Sequence, residues 1–586
     1  MKNFKLVWLL AAISLLPTPL PVFSSEDGAA EMSGLWGSER SLGPEARGEL
    51  TIVQEGMSWR AMIAGIEAPV RFTGGALTFV LAGGRGEFRG RINRDATKIS
   101  GHWIQPLTAA SGNRYATPVE LRATQSKVWR GQVVPLDDRV SLYLVIRQQT
   151  DGSTGAFIRD PERNAGRFLR IGSVRREGEN VRFLDREGKE LLAGRYDKQS
   201  GLLSIAFPFY GATLDFTRRR PDEATGFYPR TPEVSRYVYH QPLAETDGWT
   251  TASLKDVGLD PAPLAALVQR ILQTKTEGIT TPYIQGLLVA RKGKLVLEEY
   301  FYGFDKDRPH DMRSASKSLT AALVGIAIDR GAHFDATTPV YSLFPEYKGF
   351  AHDDPRKRQV TVEHLLTMTA GFDCDDFNGS NPGNEDVMQG QNEQRDWYKY
   401  TLDLPMARQP GERAVYCSGG INLLGGIISN TTRTWLPDFF NEHYASPLDI
   451  YRYHINLTPE GHGYMGGGIN MRPRDFMKLG QLFLNGGRWN GRQVLSRQWI
   501  ERATRAHSSL NRKNDYGYAW HIAEYRVGQR TYTAFSAEGN GGQLLIAIPE
   551  LDLLVMMTAG NYSDFPTWSK FRDELVPQFI IPSAAH

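Results

Sequence analysis

The first third of the chain alternates apolar and polar residues over short runs, as β-strands with one buried face do. Such runs cover residues 49–53, 77–81, 140–146 and 202–207, and Gly, Asp and Asn separate them. Residues from about 33 to 220 are therefore predicted to form an all-β accessory domain.

An internal repeat divides this region in two. Trp36-Gly37 corresponds to Trp129-Arg130-Gly131, and the six residues from Gly90 correspond to the six from Gly194. Two units of about 95 residues fit a β-barrel or a pair of sheets. The region offers no catalytic group of residues, so it is either a module that binds or positions a ligand or a structural extension.

After a proline-containing linker, predicted at residues 221–244, the pattern mixes helices with strands. Asp260-Pro261 begins an amphipathic helix through about Gln273. Further strands are predicted at 284–290, 294–300, 532–536, 543–548 and 551–557, and a largely apolar helical run at 421–428.

Length and charge narrow the class of protein. A chain of 586 residues is too long for one core, so two or three domains are expected. The net charge of +3 gives no reason to expect a nucleic acid partner. Residues 1–25, with Lys2 and Lys5 before an apolar run, are typical of an export signal. This predicts a periplasmic or secreted protein without a stable membrane anchor.

The stretch 311–320 contains the only Ser-x-x-Lys of the sequence, Ser314 to Lys317, and leads into an apolar helix-forming run. The two side chains would lie one turn apart on one helical face, so the amine can reach the hydroxyl. A serine at a helix N-terminus also lies where a developing alkoxide is favoured. Taken alone, the pair is also compatible with an N-capping serine and an incidental lysine.

Two later segments hold further candidate groups. Tyr416 and Ser418 precede an apolar helix, on a turn that lets both side chains face a cleft. Residues 539–542 form a glycine-rich loop between strands, where backbone N–H groups can approach a ligand. Each segment also has a plain structural reading, as a helix start and as a hairpin loop.

In this order, the three segments resemble the serine β-lactamase and penicillin-binding protein superfamily. The resemblance covers residues of about 245–580 and is greatest to the class C-like branch of 6-aminohexanoate-dimer hydrolases and esterases. Flanking residues 365–371, 467–475 and 542–543 also resemble short sequence motifs of that superfamily. The implied fold is α+β, an antiparallel sheet flanked by helices, so that residues 245–586 form a serine hydrolase domain.

The resemblance implies a role for each candidate. Ser314 is the nucleophile that becomes acylated, Lys317 accepts its proton, and Tyr416 protonates the leaving group or activates water. Ser418 hydrogen-bonds the lysine. The glycine loop, through Gly539 or Asn540, supplies an oxyanion N–H. The predicted function is an exported serine hydrolase acting on a small ester, amide or peptide-like substrate, with no cofactor and no metal. The alternative is a catalytically silent or penicillin-binding protein that holds a cell-wall ligand.

One departure bears on the substrate. The third motif of the superfamily usually begins with Lys or His, but Ala537 precedes Glu538-Gly539 here, and the shifted register Asn540-Gly541-Gly542 also lacks a cation. Glu538 is expected to repel a substrate carboxylate. An ester or neutral amide is therefore favoured over a β-lactam.

Two other hydrolase classes fit less well. An α/β-hydrolase needs Gly-x-Ser-x-Gly, and residues 416–420 lack the first glycine. The 12 histidines show no His-Glu-x-x-His, which disfavours a metal hydrolase.

The only cysteines are Cys374 and Cys417, and in an exported chain such a pair is either a disulfide or two buried thiols. In the superfamily that the chain resembles, the loop after Gly371 borders the cleft. We therefore expect a Cys374–Cys417 disulfide that pins this loop beside Tyr416.

Overall fold

The structure is a computed structural model that describes residues 28–231, 233, 235–511 and 514–584. The predicted export signal at 1–25 lies outside the described residues. Over the described ranges, no helix has both the length and the apolar character needed to cross a membrane.

Strands make up most of the N-terminal region. They are β1 (Gly34–Gly43), β2 (Gly48–Glu55), β3 (Ser58–Ile63), β4 (Ile66–Pro69), β5 (Arg71–Thr73), β6 (Ala76–Val80), β7 (Glu87–Ile92), β8 (Lys98–Ile104), β9 (Arg114–Gln125), β10 (Val128–Val133), β11 (Asp138–Gln148), β12 (Thr154–Arg159), β13 (Ser173–Glu177), β14 (Asn180–Leu184), β15 (Glu190–Asp197), β16 (Leu202–Phe207) and β17 (Ala212–Arg218). The all-β prediction is confirmed.

These strands form two nearly closed, barrel-like sheets. In the first barrel the order is β4-β3-β2-β10-β9-β8-β7-β6-β5, and only Val70 separates β4 from β5, so the order returns to its start. In the second barrel the order is β12-β11-β1-β17-β16-β15-β14-β13. Inward-facing side chains fill the first barrel, including Trp59, Trp103 and Trp129. A filled interior makes this barrel a packed core rather than a ligand cavity.

The repeat in the sequence corresponds to an exchange of strands between the barrels. Trp36 lies on β1, which pairs with β11 and β17 and so belongs to the second barrel. Trp129 lies on β10, which pairs with β2 and β9 in the first barrel. The first strand of each repeat therefore lies in the barrel that the other repeat forms. These two strands, β1 and β10, connect the two barrels.

The C-terminal region, residues 245–584, combines strands with helices. The strands are β18 (Thr250–Thr251), β19 (Ile284–Arg291), β20 (Lys294–Tyr300), β21 (His310–Asp311), β22 (Tyr453–Leu457), β23 (Ile469–Met471), β24 (Arg488–Trp489), β25 (Arg492–Gln493), β26 (Ser508–Asn511), β27 (Asn514–Tyr516), β28 (His521–Val527), β29 (Arg530–Gly539), β30 (Gln543–Ile548) and β31 (Leu553–Ala559). The α-helices are α1 (Pro261–Leu272), α2 (Ser316–Asp329), α3 (Val362–Leu366), α4 (Glu385–Gly390), α5 (Trp397–Asp403), α6 (Ser418–Thr432), α7 (Leu436–Phe440), α8 (Pro473–Leu484), α9 (Arg497–Ala503), α10 (Phe565–Lys570) and α11 (Ile581–Ala584).

The main sheet of this region has the order β18-β20-β19-β31-β30-β29-β28-β27-β26. Helix α1 and the helical segment Phe571–Ile580 pack on one face, and α2 and α8 pack on the other. Asp260 caps α1 as predicted, since its carboxylate accepts the Ala262 N–H at 2.9 Å. The predicted hairpin is β19 and β20, and the fold class, a sheet flanked by helices, is confirmed.

A line of strand pairs joins the first barrel to the C-terminal region. Strand β22 pairs with β9 of the barrel, at Ile455 opposite Ala116, and also pairs with β23. Strand β23 in turn pairs with β21, which ends at Asp311. Because backbone hydrogen bonds run from β9 to β21, the barrel fixes the chain just before Ser314.

Candidate active site

Ser314 lies where β21 turns into α2. Residues Arg313–Ala315 form a single 3₁₀ turn, and α2 follows at once. Arg313 has a left-handed φ of 48°. Asp311 holds this turn, because its carboxylate accepts the Arg313 N–H at 3.0 Å and lies 2.9 Å from the Arg313 Nε. Residues 316–327 of helix α2 are all buried, so the helix is a rigid support for the serine.

The three predicted catalytic side chains meet at one point. Lys317 Nζ donates to Ser314 Oγ at 2.8 Å and also donates to the Gly466 carbonyl. The Ser314 hydroxyl lies near enough to the Tyr416 phenol to lower its pKa, and Lys317 Nζ lies 5.0 Å from the Tyr416 ring centroid. With only 1% of its surface exposed, Lys317 has its amine in a fixed position.

Tyr416 keeps its proton at neutral pH. Burial raises the pKa of its phenol, while the Lys317 charge and the Ser314 hydrogen bond act in the opposite direction. The net pKa stays above the ordinary value of a tyrosine. A protonated phenol near Ser314 can donate a proton to a leaving group there.

Ser418 does not bond the lysine, so that prediction is wrong. Its hydroxyl donates to Asp376 Oδ2 at 2.7 Å and lies 3.2 Å from Glu385 Oε2. Charged oxygens are stronger acceptors than an amine that is already donating elsewhere, which explains the preference. The Ser418 N–H also bonds Asp376 Oδ2, at 2.7 Å, so this carboxylate caps the start of α6.

Asp376 and Glu385 therefore form a carboxylate pair behind the site, which the sequence reasoning missed. Glu385 also accepts from Tyr464 and from Gln389. Burial, and then the negative charge of Glu385, raise the pKa of Asp376 to about 6. Asp373 and Asp375 lie nearby in the same acidic loop, and no signal in the sequence separates Asp376 from them.

This raised pKa predicts a stability that depends on pH. An unfolded aspartate ionises near pH 4, so Asp376 contributes most to stability below that pH, and the contribution is lost as pH rises through about 6. Asp376→Asn removes the titration. Between pH 4 and 7.5, wild type should lose on the order of 2 kcal/mol of unfolding free energy relative to the variant. Urea unfolding followed by tryptophan fluorescence measures this difference.

Asp375→Asn is the matched control, because Asp375 lies next in the chain and bonds the Phe377 N–H instead of Ser418. Its curve against pH should follow the wild type. Parallel curves for Asp376→Asn and wild type would show that Asp376 ionises normally in the folded protein.

The structure joins Cys374 and Cys417 in a disulfide, with the Cα atoms 5.5 Å apart. The bridge lies two residues before Asp376 and directly after Tyr416. A backbone bond from the Asp376 N–H to the Tyr416 carbonyl, at 3.0 Å, holds the same two segments together. The disulfide therefore fixes the acidic loop against the segment that carries Tyr416 and Ser418.

Removing this bridge is expected to destabilise the protein. Its cysteines are 43 residues apart, and closing a loop of that length contributes about 4 kcal/mol in the chain-entropy description. The double variant Cys374→Ser/Cys417→Ser should lose that amount in urea unfolding. Wild type unfolded with a reductant should match the variant, and an unchanged midpoint in both experiments would show that the bridge does not constrain the loop.

The glycine-rich loop lies directly against the serine. A Cβ at Gly539 would overlap the Met312 carbonyl oxygen and lie 3.1 Å from the Ala315 nitrogen, so only glycine fits at this position. Asn540 follows at the end of β29, and its side-chain oxygen accepts the Ser563 N–H at 2.8 Å. The sequence-predicted oxyanion residues are thus beside the Ser314 turn.

Ala537 and Glu538 point to opposite faces of β29. Ala537 is fully buried in the core that also contains Met312 and Ala315, so no cation stands at this position. Glu538 faces the helical segment, where Arg572 Nη1 lies 2.6 Å from its carboxylate. Burial opposes its ionisation, but His521 and Arg572 hold its pKa below the ordinary value. Because this charge is paired, the expected repulsion of a substrate carboxylate by Glu538 is wrong.

Over the described ranges, no three or more His, Cys, Asp or Glu residues are grouped so that they could hold a metal ion.

The C-terminal region is similar in sequence to known proteins. Residues 265–574 match the sequence profile of the Beta-lactamase family. The 6-aminohexanoate-dimer hydrolase of Paenarthrobacter ureafaciens is 28% identical over 309 residues, which cover 50% of this chain and 74% of that protein.

Among solved structures, unliganded simvastatin synthase from Aspergillus terreus has a TM-score of 0.40 and 16% identity, covering 51% of this chain and 93% of that one. EstCE1, a hydrolase with promiscuous acyltransferase activity, has a TM-score of 0.40 and 14% identity, covering 50% of this chain and 92% of its own.

Proposed function

Because the chain belongs to the Beta-lactamase family, we propose that it is a serine hydrolase in which Ser314 attacks an ester or amide carbonyl and becomes acylated. One observation carries the proposal: the Lys317 amine bonds Ser314 Oγ at 2.8 Å, and the Tyr416 ring lies beside the same amine, 5.0 Å from Nζ to the ring centroid. A nucleophile with a base in contact and an acid nearby is the arrangement that acyl transfer needs.

The residues divide the proton transfers between them. Lys317 Nζ accepts the Ser314 proton as Oγ attacks the carbonyl carbon. The Tyr416 phenol gives its proton to the departing alcohol or amine, and it then takes one from the water that releases the acyl group. The Ser314 N–H and an N–H of the glycine-rich loop, at Asn540, hold the negative oxygen of the tetrahedral intermediate.

We propose esters and amides, rather than β-lactams, as substrates. Ala537 stands where a cation would hold the carboxylate of a β-lactam, and a buried carboxylate without a partner is costly. A relative that is 28% identical is called a 6-aminohexanoate-dimer hydrolase, a name that describes an amide substrate.

We also propose that the protein is exported and works in the periplasm or outside the cell. The Cys374–Cys417 disulfide supports this, because such bonds persist in oxidising compartments.

A substrate panel tests the function. Purified protein should hydrolyse 4-nitrophenyl acetate and butyrate with an initial burst of one equivalent of 4-nitrophenol, since the acyl-enzyme accumulates. The kcat/KM for nitrocefin should be lower by about 10²-fold or more. Absence of turnover and of a burst with the esters and with D-amino acid amides would refute the proposed function.

A further inference from the structure

A cleft of about 720 Å³ lies between the two barrels and the C-terminal region. The first barrel contributes Tyr115, the loop after β12 of the second barrel contributes Arg163, and the C-terminal region contributes Asp311 and Tyr562. Its volume is in the range of small-molecule sites. Because all three parts of the fold build it, the cleft exists only in the assembled chain.

One residue that lines the cleft is close to Ser314 in the chain. Asp311 is three residues from the serine, a stretch that spans at most about 11 Å even when fully extended. The Tyr562 ring also lines the cleft, 5.1 Å from the Arg313 guanidinium. On a substrate whose reactive carbonyl is at Ser314, a tail of about 10 Å is therefore long enough to cover nearly all of the distance to Asp311.

Most acidic side chains of the cleft already have partners. Four of them form ion pairs with arginines: Asp137 with Arg47 at 2.7 Å, Glu162 with Arg308 at 2.6 Å, Asp307 with Arg452 at 3.0 Å and Asp311 with Arg313 at 2.9 Å. A fifth, Glu120, pairs with Lys98, and Asp305 accepts the backbone N–H groups of two neighbours. The negative charge of the cleft is thus largely compensated within the protein.

Two arginines of the cleft lack such a partner. Among the described residues, neither Arg139 nor Arg163 has a carboxylate within ion-pair distance. Arg163 is half-buried, and its one bonded N–H group donates to the Ala110 carbonyl. Arg139 is exposed on β11.

Arg163 lines the cleft together with Tyr115 and Tyr562. Burial raises the pKa of both phenols, and the positive charge of Arg163 acts in the opposite direction. A guanidinium with unused N–H groups, set among phenol donors, is suited to hold a carboxylate.

We propose that this cleft binds a carboxylate at the far end of the substrate, with Arg163 as its main anchor and Arg139 as a second cation. The substrate class is then an extended ester or amide with an anionic tail, an inference that rests on the proposed function. The cation that holds a substrate carboxylate would then be an arginine of the N-terminal domain instead of a residue at position 537. It would bind the end of the substrate that is farthest from the reactive carbonyl.

Matched esters test the anchor. Mono-4-nitrophenyl suberate carries the tail carboxylate, and its methyl ester is a neutral analogue of similar length. The kcat/KM of wild type should be about tenfold higher for the anionic ester than for the neutral one, because its KM for the anionic ester is lower. A charge-assisted hydrogen bond is worth about that much. Arg163→Gln should remove the preference by raising the KM for the anionic ester. Arg170→Gln is the control, because it removes an equal charge from an exposed arginine outside the cleft.

Binding of free suberate, measured by calorimetry, is a second readout that needs no turnover. Wild type should bind suberate at one site, and Arg163→Gln should weaken binding several-fold. Equal hydrolysis of both esters together with no suberate binding would overturn the anchor and leave the hydrolase proposal standing. Suberate binding that depends on Arg163, without turnover of any ester, would refute the hydrolase and retain the anion site.

Discussion

Ser314→Ala is expected to lower kcat for ester hydrolysis by about 10⁴-fold or more, because loss of a nucleophile removes the acyl-enzyme route altogether. The fold should be unaffected, since the change removes only the hydroxyl to which Lys317 Nζ donates. Steady-state hydrolysis of 4-nitrophenyl butyrate measures the loss, and circular dichroism verifies the fold.

Ser316→Ala is the matched control for this loss. Ser316 is two residues away and fully buried, and its hydroxyl has no hydrogen-bond partner in the structure. This variant should retain nearly all activity. Loss of activity in Ser316→Ala, or its retention in Ser314→Ala, would assign the nucleophile to a different residue.

Lys317→Met is expected to lower kcat by on the order of 10³-fold with a nearly unchanged KM. The methionine keeps the apolar stem in its buried position but removes the amine that bonds Ser314 Oγ. Acylation should therefore become slow, and the burst of 4-nitrophenol should disappear. Stopped-flow measurement of the burst separates this effect from a defect in release of the acyl group.

Lys357→Met is the control for burying a methionine in place of a lysine. Lys357 is buried in the same region and donates to the carbonyls of Ala351 and Leu402, away from the site. It should lower stability without lowering kcat. An equal loss of kcat in both lysine variants would mean that Lys317 acts on the fold and not on the serine.

The sequence predicted those elements whose signals are local. The cap at Asp260, the hairpin of β19 and β20 and the strand at 543–548 follow from residues that are neighbours in the chain. The exchange of β1 and β10 between the barrels was not predictable, because either barrel could accept a strand with the same alternation. The pairing of β22 with β9 joins residues more than 300 positions apart, and no pattern in either segment specifies its partner.

For the candidate site, the serine, lysine and tyrosine were predictable because their order and spacing form a motif. The partner of Ser418 was not, since it depends on where the acidic loop lies in three dimensions. The same holds for Glu538, whose charge is paired with Arg572 on a distant helical segment. Residues that act through tertiary contacts carry no spacing signal, which is why the carboxylate pair and the cleft emerge only from the structure.

Covalent labelling with a fluorophosphonate tests the central claim most directly. Intact-mass spectrometry should show one adduct per chain, and peptide mapping should place it on Ser314. Lys317→Met should label far more slowly than wild type, because it lacks the amine that bonds the nucleophile. An adduct on any other residue, or no adduct on a folded wild-type protein that hydrolyses esters, would contradict the assignment of Ser314 as the nucleophile.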